Sequence, residues 1–116
     1  MHYALLIYHD EAASPLPGTP AFDQQMADYN AFTNEVRERN LFQAGEALHP
    51  VATATTVRVR DRERLVTDGP FAETKEQLGG FYLLNCKDLD EAIEMAAKIP
   101  AARGGSIEVR PIVDFG

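Results

Sequence analysis

The chain has 116 residues, a length that suits one domain around one core. Its residues are 45% hydrophobic and 25% charged with a formal net charge of −7, an acidic balance that argues against binding nucleic acid. No apolar run reaches the roughly 18 residues of a membrane span, no secretory leader is visible, and the single Cys86 cannot close an internal disulfide, so a soluble cytoplasmic protein is expected.

Residues 3–8 read YALLIY, a continuous apolar run that predicts a central strand. His9, Asp10 and Glu11 follow, then a proline-rich loop to Pro20. Consecutive residues at a strand end point to alternate faces, so these three are not expected to converge on a metal. Thr19-Pro20 is a helix start: a capping hydroxyl, then proline where its missing N–H costs nothing. Phe22, Met26, Tyr29, Phe32 or Thr33, and Val36 recur at helical spacing, which predicts a helix over 21–39 with those residues inward. Asn40 suits a left-handed stop.

Residues 41–48 predict a second strand with Gly45 as a candidate bulge, ended by His49-Pro50. Residues 54–60 alternate, with Val57 and Val59 on one face and Arg58 and Arg60 on the other. A polar turn and a return strand over 64–67 complete a half-exposed hairpin. Residues 66–80, VTDGPFAETKEQLGG, carry more loop chemistry than a simple connection needs. They break at Asp68-Gly69-Pro70 and again at Gly79-Gly80, with Glu73, Lys75 and Glu76 between. Residues 81–86 predict another apolar strand. Asp88 and Glu91 form a capping box that starts a helix at Leu89, with Leu89, Ile93 and Ala96 or Ala97 inward and Pro100 as the stop. Residues 106–110 alternate as the last strand.

The order is β-α-β, a hairpin insertion, then β-α-β in a single domain over 1–116. It predicts an α+β ferredoxin-like plait, with an antiparallel sheet and both helices on one face. The apolar strands leave the other face in need of cover. A second copy packed sheet to sheet supplies it most economically, so a homodimer is expected.

Three segments carry a resemblance to a known family. They are YALLIY at the start; Val66 through Glu76 with Leu78-Gly79-Gly80-Phe81-Tyr82; and Pro100 to Gly105 running into Glu108-Val109-Arg110-Pro111. With these, nearly the whole chain resembles the YCII-related superfamily, in its DGPF-domain branch. The resemblance implies a dimeric α/β-barrel of ferredoxin-like kind, and it implies little about activity, because most of that branch is uncharacterised. Neighbouring genes for alternative sigma factors suggest a regulatory setting by association. The wider superfamily carries a His–Asp pair proposed as an acid/base centre, with the His on the first helix and the Asp after the second strand. Here Tyr29 stands roughly where that histidine is expected and His49 follows the second strand. Acid/base chemistry would have to be rebuilt from other residues.

The residues suggest candidates for that rebuilding. Asp68 is either the acceptor of an Asx-turn or a carboxylate held at a strand end as base or ligand anchor. His49 can move a proton near neutral pH. Lys75 can bind an anion, with Glu73 beside it holding the charge, and Arg103 can cap a helix end or take an anion. CxxC, HExxH, GxxxxGK[ST] and GxSxG are all missing, so no metal or cofactor is expected. Two readings stay open. One is cofactor-independent lyase or isomerase chemistry on a small oxygenated or anionic molecule. Asp68 or His49 would move the proton, Lys75 or Arg103 would hold the anion, and Tyr29 would orient it. The other is a non-enzymatic dimer that binds a small ligand in transcriptional control.

Overall fold

The computed structural model describes all residues, 1–116. In chain order the elements are β1 (His2–His9), α1 (Pro20–Glu38), β2 (Phe42–Ala47), β3 (Thr55–Arg60), β4 (Glu63–Asp68), β5 (Gln77–Asn85), α2 (Leu89–Lys98) and β6 (Ser106–Pro111). Short 3-10 turns occupy Glu11–Ala13, Val51–Thr53 and Pro100–Arg103. Four strands form one antiparallel sheet in the order β2-β5-β1-β6, and β3-β4 form a separate hairpin. This is the ferredoxin-like α+β plait with a hairpin inserted between its second and third strands. No helix is long and apolar enough to cross a membrane.

Local chemistry sets the helix ends. The Thr19 hydroxyl accepts the Phe22 N–H at 3.2 Å, with Pro20 in the first turn. At the other end Asn40 takes φ 58°, and the Leu41 N–H reaches the Val36 carbonyl at 2.9 Å. That is a Schellman stop, sealed by apolar contact within the core between the same two residues. The Asp88 carboxylate caps α2 through the Glu91 N–H at 2.9 Å, and Glu91 reaches back to the Lys87 N–H at 2.9 Å. The helices are tied together at the surface. Glu35 accepts from Lys98 at 2.6 Å and from Arg39 at 3.2 Å, and these bonds, the Lys98 one foremost, hold its carboxyl below the usual range.

One core fills the space between the sheet and the helices. Tyr3, Leu5 and Ile7 of β1 and Tyr82 and Leu84 of β5 meet Phe32 and Val36 of α1 and Ala92, Met95 and Ala96 of α2. The Phe32 and Tyr82 rings meet edge to face at 5.0 Å. Cys86 is buried beside them, and desolvation pushes its thiol up, away from nucleophilic chemistry.

Four details differ from the reading of the sequence. β5 begins at Gln77, so Gly79 and Gly80 lie inside a strand, where bare backbone admits close neighbours, and do not form a break. The register shift in β2 falls between Phe42 and Ala44, not at Gly45, and Gly45 instead makes room for the Tyr82 ring. In α2, Leu89 and Ile93 are about half exposed, while Ala92, Met95 and Ala96 turn inward. The hairpin alternates as expected, but its valines are open. Val57, Val59 and Val66 are 57%, 62% and 59% exposed, because the two strands pack mainly on each other and stand away from the sheet.

The molecule is consequently broad and thin, 48 × 45 × 19 Å. Its radius of gyration is 16.1 Å, against about 13 Å for a compact chain of this length. The sheet face opposite the helices carries Ala4, Leu6, Tyr8, Phe81 and Leu83, all half-buried, beside the Arg110–Glu108 ion pair.

Candidate functional site

The first half of α1 does not close onto the sheet. Phe32 and Val36 are buried, but Phe22 and Tyr29 are only half-buried and Met26 is 45% exposed. The gap is a cleft of about 640 Å³ between α1 and the β2-β5 edge, roofed by the loop after β1 and floored in part by Gly45, Gly79 and Gly80. That volume suits a small organic ligand. Phe22, Met26, Tyr29, Phe42 and Tyr82 give the cleft an apolar body, and His9, Thr33 and Arg37 supply polar points.

His9 reaches the cleft because it follows Tyr3, Leu5 and Ile7 on the inward face of β1, and a bulge in β5 makes room for its ring. Ile7 pairs with Gly80 and Tyr8 with Leu78, so Gly79 has no partner in β1. The extra residue belongs to β5 and shifts the facing of Leu78 and Gln77, while β1 keeps its alternation. The imidazole then lies over the bare Cα of Gly79, and any side chain there would overlap its Nε2 edge. The other ring nitrogen, Nδ1, is 2.7 Å from the Ser14 hydroxyl, which donates to the Asp10 carbonyl at 2.9 Å. A hydroxyl has one proton to give. With that proton spent on Asp10, Ser14 can only accept from His9. In that arrangement Nδ1 carries the hydrogen and Nε2 is the acceptor; with the Ser14 proton on Nδ1 instead, the roles of the two nitrogens exchange.

The roof is tied down from two sides. Gln77 accepts the Glu11 N–H at 3.0 Å, and the Glu11 carboxylate accepts the Val51 N–H at 2.9 Å. Across the cleft, the Tyr82 hydroxyl is 2.9 Å from Thr33 Oγ1. Burial pushes the Tyr29 phenol up, the nearby Tyr82 adds to this, and a hydrogen bond from the Ala101 backbone opposes it. Tyr29 thus stays protonated and is a hydrogen-bond donor near neutral pH. Farther along, the Arg37 guanidinium lies 4.2 Å over the Phe42 ring.

Of the residues singled out from the sequence, Tyr29 lines the cleft; His49, Asp68, Glu73, Lys75 and Arg103 do not. His49 is exposed after β2. Asp68 is exposed at the end of β4, and no backbone N–H bonds its carboxylate, so the Asx-turn is not formed. The corner after it is fixed by other groups. Gly69 turns at φ 97° and donates to the Ala54 carbonyl at 2.7 Å, and Thr56 bonds the Gly69 carbonyl at 2.8 Å. Glu73 and Lys75 are exposed and form no ion pair. Arg103 is exposed in the last 3-10 turn, beside a shallow hollow shared with Asp28, Glu35 and Lys98. No group of three His, Cys, Asp or Glu side chains is placed to hold a metal ion.

His9 and Arg37 line the cleft and are not among the candidates for chemistry read from the sequence. The sequence signal for His9 is its place in the alternation of β1, two residues after the inward Ile7; the bulge that makes room beneath it is a property of the pairing.

A family model for the YCII-related domain matches residues 1–116. An uncharacterised protein of Rhizobium meliloti (strain 1021), R00369, is 40% identical over 114 residues, which cover 97% of this chain and 92% of the relative. The match spans both βαβ halves and the hairpin between them, and the chain belongs to the YCII-related family.

Proposed function

We propose that the cleft binds a small organic molecule and that His9 Nε2 exchanges a proton with it, in lyase or isomerase chemistry that needs no cofactor. The observation that carries this reading is the 2.7 Å contact of His9 Nδ1 with Ser14, which holds the ring and leaves Nε2 without a hydrogen-bond partner beside a cavity. Imidazole is the side chain best suited to proton transfer near neutral pH. Tyr29, protonated and in the same cleft, is the matching donor to an oxygen that gains negative charge. Nitrogen-15 spectra of the imidazole test which nitrogen carries the hydrogen. Wild type is expected to show the Nδ1–H tautomer of His9, and Ser14→Ala a mixture. A dominant Nε2–H form in wild type removes the base.

We further propose that the protein works as a homodimer. It exposes 8246 Å², where a compact 12.8 kDa monomer exposes about 6,300 Å². The excess of about 2,000 Å² per chain is what a permanent dimer typically buries. The half-buried sheet face and the valine face of the hairpin both carry apolar side chains open to a partner, and a two-stranded hairpin alone is marginal in water. Light scattering should report twice the 12.8 kDa chain mass, and Leu6→Asp should return it to one chain. A wild-type particle of single-chain mass would sink the dimer.

A further inference from the structure

Arg37 is the one Lys or Arg that lines the cleft, and it has no acidic partner there. The chain is strongly acidic, with 18 Asp and Glu against 11 Lys and Arg. Arg39, two residues on, lies within 4 Å of Glu35, Glu91 and Glu94. Arg37 forms no ion pair and no side-chain hydrogen bond, although it sits in the wall of the cleft with its guanidinium carbon 4.2 Å from the centre of the Phe42 ring. Lying over a ring uses none of the N–H donors of the fork, so they are free to take a carboxylate through two parallel bonds.

The other charged residues at the cleft do not neutralise it. Asp10 accepts the Ala12 N–H at 3.0 Å within its own turn. Glu46 is opposite Phe81, while its neighbour Gly45 is opposite the buried Tyr82, so the Glu46 side chain shares the far face of the sheet. It meets the cleft through its backbone, whose carbonyl packs on Gly80.

The register sets the distance between the two polar points. Phe42 is opposite Leu84, and Ala47 is opposite Gly80, next to the bulge under His9. Four residue steps along β5, from Gly80 to Leu84, separate these pairs, which is about 13 Å of strand. Between them the lining is Tyr82, Tyr29, Met26 and Phe22.

We propose that the guest of this cleft is an elongated, largely apolar monocarboxylic acid. Arg37 grips the carboxylate, the aromatic walls cover an aryl or acyl body, and the reacting end lies at His9. This rests on the reading of the cleft as a ligand site and adds the class of ligand and the residue that selects it.

Calorimetric titration with 6-phenylhexanoate and with its primary amide tests the assignment, alongside NMR of the Tyr29 and Tyr82 rings. Wild type should bind the acid about tenfold or more tightly than the amide, as expected for a charge-assisted bond. Arg37→Gln should erase that preference and leave the amide affinity within about twofold, because only the charged contact is lost. Equal binding of acid and amide to wild type, or a preference that survives in Arg37→Gln, overturns the Arg37 anchor and leaves the cleft standing. If neither compound binds and neither ring resonance moves, the ligand site falls together with the anchor.

Discussion

Leu84→Ala should cost about 3–4 kcal/mol of folding free energy, since it removes a fully enclosed side chain and leaves a cavity. Leu84 is 0% exposed in a central strand, opposite Tyr3 on β1 and Phe42 on β2. The core has only 13 buried residues, two of them alanines, so few neighbours can relax into the hole. A domain of this kind has about 5–15 kcal/mol in total, so the loss is a large share of it. The thermal midpoint should fall by roughly 12 °C or more. Urea unfolding checks the result, and a loss below about 1 kcal/mol would mean that Leu84 is not enclosed as described.

Gly105→Ala should be the second severe change, at about 2–3 kcal/mol, through overpacking. A methyl at Gly105 would overlap the Tyr8 carbonyl oxygen and crowd the Ala101 carbonyl and the His9 Cα. All three are backbone atoms, so no side-chain rotation relieves the contact. β6 must move away from the end of β1, and His9 moves with that end. Gly104→Ala is the control, since a methyl there meets nothing within 4 Å. Thermal unfolding of the two variants should separate them by several degrees. Equal midpoints would mean that β6 does not approach β1 so closely. The His9 resonances should also shift in Gly105→Ala alone, which ties the site to the packing beneath it.

Much of the fold was legible because its signals are local. YALLIY has too little polarity for any place but a sheet centre, and Thr19-Pro20, Asn40 and Asp88 each carry a cap in their own side chain or backbone preference. The inward face of α2 was not legible. Its apolar residues cover a wide arc, and periodicity alone does not choose between the Leu89–Ile93 stripe and the Ala92–Met95–Ala96 stripe. Packing chose the second, where small alanines let the helix approach the sheet. Gly79-Gly80 reads as punctuation in one dimension, and only the paired strand shows that one glycine is a bulge under an imidazole.

The site was less legible than the fold. A segment rich in loop chemistry drew attention to Asp68, yet it is displayed on an arm outside the cleft. The cleft comes from a helix that lifts off at one end and from a bulge in β5 that makes room for the His9 ring. Both are outcomes of tertiary geometry, and neither leaves a motif.

The hairpin leaves the sheet after Ala47 and returns before Gly80, and those two residues face each other across β2 and β5. Its points of exit and re-entry are therefore adjacent. The plait closes its own chain path without the intervening lobe, which is a graft onto a complete scaffold. Lengthening, shortening or exchanging that lobe alters what the protein presents outward without re-threading a single strand of the sheet.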